Sequence, residues 1–189
     1  SLKGDVGAAV YRTPAITRTT QGSNTVLPYV YADHGPFYAR INTLGYKAMP
    51  LGAGHLEVAV RVTQEGYKSA QAGIGDRSNP LPVGVGTFQK TAYGAFFAYS
   101  LYDPSSGGNL VDLMYAAKFR VAGISVYPQL GLERRSAKYV QHLYGVNAAQ
   151  ATASGLSIYS AQSSMSPNLG FTAEYPLNDR YSVTYQLRK

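Results

Sequence analysis

Eight charged residues stand at alternate positions within stretches that are otherwise apolar or small: Arg40, Glu57, Arg61, Asp112, Lys118, Arg120, Glu133 and Glu174. On extended backbone, side chains spaced by two share a face, so these charges mark the polar faces of strands. Inside a barrel they could do one of two things. Arg40, Arg61, Lys118 and Arg120 could line an anion-selective passage, or they could pair with Glu57, Asp112, Glu133 and Glu174 and close it. Closure is favoured, because barrels of roughly 8 to 12 strands are often filled by their own side chains.

Other chemistry finds less support. A hydrolytic triad needs Ser, His and a carboxylate at one rim; Ser100, His55 and Asp103 could be grouped this way, but no motif joins them. His34, His55 and His142 have no spacing that brings them together as metal ligands. With no cysteine in the chain, disulfides and thiolate sites are excluded. Gly52-Ala-Gly54 and Gly84-Val-Gly86 lack the Lys-Ser/Thr ending of a phosphate loop. No catalytic residue, cofactor or metal is expected, and no enzyme activity.

The elements that must position these charges are strands. In Asn109–Arg120, Val111, Leu113, Tyr115, Ala117 and Phe119 fall on one face, opposite Asp112, Met114, Ala116, Lys118 and Arg120. Twelve residues of this kind are long enough to cross a bilayer at a barrel tilt. Similar stretches are Gly4–Tyr11, Val26–Ala32, Phe37–Leu44, His55–Gln64, Pro82–Gln89, Thr91–Tyr102, Ile124–Glu133, Leu169–Leu177 and Tyr181–Leu187. Pro128 lies inside one of them, where it removes a ladder donor and suggests a bulge or a strand end. Tight turns are expected at Asp33-His-Gly35, Val121-Ala-Gly123 and Asn178-Asp-Arg180, and longer polar loops over 12–25, 66–81, 103–108 and 134–163. Asn147 to Gly155 has an N-cap residue, alanines and a closing glycine, which predicts a short helix within the last loop.

Alternation does not say which face is inside. A soluble barrel turns its apolar face inward, a membrane barrel toward lipid. Charges of both signs on the polar faces favour the membrane, as do tyrosines near strand ends (Tyr11, Tyr31, Tyr99, Tyr102, Tyr175 and Tyr185), placed as an interfacial girdle requires. Short turns at one end and long loops at the other point the same way. The net charge of +7 is scattered and carries no nucleic-acid motif; anionic lipid head groups or an acidic polymer account for its sign. Nothing marks a domain boundary, so residues 1–189 read as a single barrel domain. The chain opens at Ser1 without an initiator Met or an apolar leader, as expected once a signal peptide has been removed.

The segment Lys138-Tyr-Val-Gln-His-Leu-Tyr-Gly-Val-Asn-Ala-Ala-Gln-Ala-Thr-Ala-Ser-Gly-Leu-Ser-Ile-Tyr-Ser-Ala161 resembles the MipA/OmpV family of Gram-negative outer-membrane proteins. So do Gly7-Ala-Ala-Val-Tyr11, Leu27-Pro-Tyr-Val-Tyr31, Gly73-Ile-Gly-Asp-Arg77 and Tyr175-Pro-Leu-Asn-Asp-Arg-Tyr-Ser182, in order along the chain. The resemblance implies an all-β transmembrane antiparallel barrel in the outer membrane. About 12 strands are expected if segment 36–50 makes two passes, and about 10 otherwise. It also implies a scaffold that bridges a murein polymerase (a penicillin-binding protein) and a lytic transglycosylase during peptidoglycan growth. A small-solute channel, or an adhesin or surface antigen, is the alternative. Family members continue beyond the point where this chain ends at Leu187-Arg-Lys189, so a closing strand is expected to be missing.

Overall fold

The alternating stretches fold as strands. A computed structural model describes residues 2–13, 23–69 and 71–189. Its first strands are β1 (Leu2–Thr13), β2 (Ser23–His34), β3 (Phe37–Arg40), β4 (Thr43–Leu51), β5 (Gly54–Arg61) and β6 (Val83–Thr91). β7 (Gly94–Asp103), β8 (Gly108–Ala116), β9 (Phe119–Val121) and β10 (Ile124–Arg135) follow. Two helices, α1 (Ala137–Tyr144) and α2 (Ala148–Ser154), precede β11 (Ser164–Pro176) and β12 (Ser182–Arg188). The fold is all-β: one twelve-stranded antiparallel sheet in chain order, with β8 and β9 both lying against β10. Its edges are β1 and β12, and no pairing joins them among the described residues.

The sheet is curled. Arg40 on β3 bonds Tyr99 on β7 at 3.0 Å, and Arg61 on β5 bonds Asp112 on β8 at 2.8 Å. In a flat sheet, strands four places apart would stand about 19 Å from each other. Contacts of this length therefore cross a concave inner face, as in a barrel wall.

The hairpins at one end are short. His34 pairs with Phe37, Leu51 with Gly54, Thr91 with Gly94 and Val121 with Ile124. The last of these turns on Ala122 and Gly123, at φ 50° and 82°, the left-handed pair whose twist suits a two-residue hairpin. The other end carries the connections 62–82, 104–107 and 136–163. Most of the loop expected over 12–25 lies outside the described residues, as does the side chain of Tyr11.

Burial assigns the faces. On β5 Glu57 is 1% exposed and Ala59 3%, whereas Val58 between them is 52% exposed. The same phase holds elsewhere: Val6, Val10, Val26, Phe37, Leu44, Tyr46, Val85, Leu113 and Leu130 are exposed, while Tyr38, Arg40 and Thr43 are buried. A soluble barrel would show the opposite phase. Contiguous apolar surface on this scale faces lipid rather than water.

Four expectations need correction. Phe37–Leu44 is not one strand, because it turns at Ile41 and Asn42 to make β3 and β4, so segment 36–50 is two passes. Ile41 sits at φ 57°, which a β-branched side chain rarely adopts, so no local propensity announces the turn. Asn109–Arg120 divides into β8 and β9, yet without slipping register: Ala116 pairs with Gln129 and Phe119 with Val126. Pro128 therefore makes neither a bulge nor a strand end. Its carbonyl accepts from the Ala117 N–H at 3.0 Å, and the return bond is missing because proline has no N–H. Third, β7 turns Phe97, Tyr99 and Leu101 inward; its alternation is large against small, and the Tyr99 ring fills space left by Gly86 on β6. Last, Tyr99 and Tyr31 do not belong to the girdle, since Tyr31 pairs with inward Arg40, whereas Tyr102, Tyr175 and Tyr185 are exposed.

Candidate functional site

Register places the eight charged residues on the inner face. Glu57 lies opposite Gly86, Gly86 opposite Tyr99, Tyr99 opposite Asp112, and Asp112 opposite Glu133, which makes one row across β5, β6, β7, β8 and β10. Gly86 is required there: a Cβ at that position would stand 2.0 Å from Cδ1 of Tyr99. The missing side chain lets the tyrosine ring lie across β6 and reach the carboxylate on β5.

At the centre, Arg40 holds Glu57 through two parallel bonds, Nη1 to Oε2 and Nη2 to Oε1, both 3.0 Å. The Tyr99 hydroxyl donates to Oε2 at 2.8 Å and accepts from Arg40 Nη1 at 3.0 Å. The guanidinium also lies over the Tyr38 ring at 3.9 Å and the Phe88 ring at 4.6 Å. This forked pairing suits arginine's planar donor set. A second pair joins Arg61 to Asp112 at 2.8 Å, with Arg61 Nε donating to Thr43 Oγ1 at 3.3 Å.

The remaining candidates do not join this cluster. Glu133 accepts from Arg135 at 2.8 Å, and Arg135 also pairs with Glu65. Lys118, Arg120 and Glu174 form no ion pair among the described residues; Lys118 sits 5.6 Å from the Tyr127 ring. Arg120 and Glu174 flank Ser125 on neighbouring strands near the turn end. Ser100, His55 and Asp103 are kept apart. Ser100 is exposed on the outer face, and His55 stands level with Phe97, six residues along β7 from buried Asp103, about 20 Å of strand.

The loop end is covered by α1. Ser136 caps the helix by accepting from the Tyr139 N–H at 3.4 Å. Tyr139 and Leu143, four apart and so on one face, are fully buried against inward Leu101 and Leu110. The Tyr139 hydroxyl donates to Glu65 at 2.7 Å, and the Tyr67 hydroxyl donates to the Leu143 carbonyl at 2.7 Å. Burial, reinforced by the Glu65 carboxylate, raises the proton affinity of the Tyr139 phenol, which stays neutral. The predicted helix is α2, with Asn147 and Gln150 forming a capping box and Gly155 closing it at φ 74°. Sequence reasoning missed α1, Glu65, Arg135 and the role of Tyr99. The signal for α1 was Ser136 followed by the apolar pair at 139 and 143; nothing local signals the contacts that cross the sheet.

The family model described as MltA-interacting protein MipA matches residues 6–188. The chain is 24% identical over 182 residues to "Putative outer membrane protein YiaT" of Escherichia coli K12, covering 92% of this chain and 73% of that one. It is 27% identical over 112 residues to "MltA-interacting protein" of the same organism, covering 58% of this chain and 45% of that one. No solved structure matches significantly.

Proposed function

The chain belongs to the MltA-interacting protein MipA family, and from that premise we propose that it is a non-enzymatic binding scaffold for the peptidoglycan-synthesis machinery. It is a protein of the Gram-negative outer membrane. As a single barrel domain, it presents its apolar outer face to lipid. Its docking partners are a lytic transglycosylase, the class to which a relative's name points, and a penicillin-binding murein polymerase. Murein lies on the periplasmic side, where the short hairpins of an outer-membrane barrel lie. Those hairpins are therefore the surface that meets the enzymes, not the 136–163 connection.

The observation that carries this reading is the pairing of inward charge between β3 and β8. The Arg40–Glu57–Tyr99 cluster and the Arg61–Asp112 pair bond across the inner face at mid-height, and α1 packs over the loop end, so these charges hold each other instead of lining a passage. Unpaired Lys118 and Arg120 supply a second reading, a small-anion channel entered from the turn end. Planar-bilayer recording and affinity capture separate the two. A scaffold retains a purified lytic transglycosylase and gives no discrete conductance, and loses capture when residues 122–123 and 178–180 are replaced. Steady single-channel openings altered by Lys118→Glu, with no enzyme retained, would overturn it.

A further inference from the structure

The loop end holds a second cluster of charge that the barrel interior does not use. A cavity of about 420 Å³ opens between α1, the start of α2, the 104–107 connection and the segment around Arg77. Its walls include Arg77, Lys138, His142, Ser105, Ser106 and Gln150, and no carboxylate. The two acidic residues in adjoining segments are turned to other donors. Asp76 accepts from the Ser69 N–H at 3.0 Å, and buried Asp103 accepts from the Leu81 and Ser106 N–H groups at 2.9 and 2.7 Å.

Arg77 is half-buried and is left short of partners. Its Nη2 donates to the Gly145 carbonyl at 2.6 Å and reaches Gln150 Oε1 at 3.4 Å, which clasps the C-terminal end of α1. Its Nε is buried with no hydrogen-bond partner, and it forms no ion pair among the described residues. A half-buried guanidinium without a carboxylate partner favours an anion beside it, because its charge is only partly solvated. The Lys138 side chain forms no bond among the described residues either, and it lies in the first turn of α1, where the helix dipole favours an anion.

We propose that this cavity binds a phosphorylated sugar, with Arg77 and Lys138 holding the phosphate and Ser105, Ser106 and Gln150 meeting the hydroxyls. A guanidinium fork and an ammonium match phosphate oxygens. The volume lies in the range of small-molecule sites and exceeds what one phosphate needs. The ligand comes either from solution or as the headgroup of an outer-leaflet glycolipid, since the long-loop end of such a barrel faces outward.

The test is calorimetric titration of the full chain, folded in zwitterionic detergent, with glucose 1-phosphate and with inorganic phosphate. Saturable binding that weakens with salt is expected, with inorganic phosphate the poorer ligand. Arg77→Gln and Lys138→Gln should each weaken it at least tenfold, while Lys90→Gln at the opposite end leaves it unchanged. Lys138→Gln decides the matter if Arg77→Gln fails to fold, because the Lys138 side chain forms no bond among the described residues. Competition by vesicles containing lipid A assigns the site to a headgroup; retention of glucose 1-phosphate beside those vesicles assigns it to a soluble ligand. Absence of saturable binding, or wild-type affinity in both variants, would overturn the site and leave Arg77 as a clasp for α1 only.

Discussion

Replacing Glu57 by alanine removes the carboxylate that Arg40 and Tyr99 share, and leaves a guanidinium 9% exposed on the inner face. Breaking a buried pair by deleting one partner costs about 3–5 kcal/mol, because the survivor stays desolvated. Taking about 4 kcal/mol and a urea slope of about 2 kcal/mol per M, the unfolding midpoint falls by about 2 M. The double replacement, Arg40→Leu with Glu57→Leu, removes attraction and desolvation together and should lie within about 1 kcal/mol of wild type. Arg40→Leu, Glu57→Leu and their double, unfolded in urea from lipid vesicles and followed by far-UV circular dichroism, therefore show a large coupling. A Glu57→Ala variant within about 0.5 kcal/mol of wild type would refute the argument. So would a double variant as unstable as the two singles summed. Either result would mean that the pair is solvated and the interior is not filled at that level.

Other perturbations test other parts of the account. Val58→Arg places a charge on the outer face at mid-strand and should cost about 2–4 kcal/mol in vesicles, measured by the same titration. Ile41→Gly removes the left-handed strain at the β3–β4 turn and should raise stability by up to about 1 kcal/mol; a fall would show that the turn is not left-handed there. Leu143→Asp should undock α1, so that trypsin cuts at Lys138 many times faster while the strands stay protected.

What could be read in the sequence follows the range of the forces involved. α2 was legible because its caps, Asn147 and Gly155, lie within a few residues of the backbone they satisfy. Strand positions were legible because alternation is local, and even the interruption at Pro128 came from a single missing N–H. The β3–β4 turn was hidden because Ile41 contradicts its own conformational preference. The inward face of β7 was hidden for another reason: Tyr99 points where Gly86, on the next strand, leaves room. The opposite signs of Arg40 and Glu57 suggested a closed network. Their pairing, and the part played by Tyr99, depended on how strands distant in sequence curl toward each other.

The direction of the two faces underlies everything else, and β5 reports it most directly. The chain has no cysteine, so single cysteines at positions 55 to 62 can carry a nitroxide label one at a time without background. Collision with dissolved oxygen, which concentrates in lipid, is then measured in the refolded protein in vesicles. Labels at positions 56, 58, 60 and 62 should show high oxygen accessibility, and those at 57, 59 and 61 should show low values with a period of two. The opposite phase, or no period, would contradict a barrel wall that turns Glu57 inward and Val58 toward lipid.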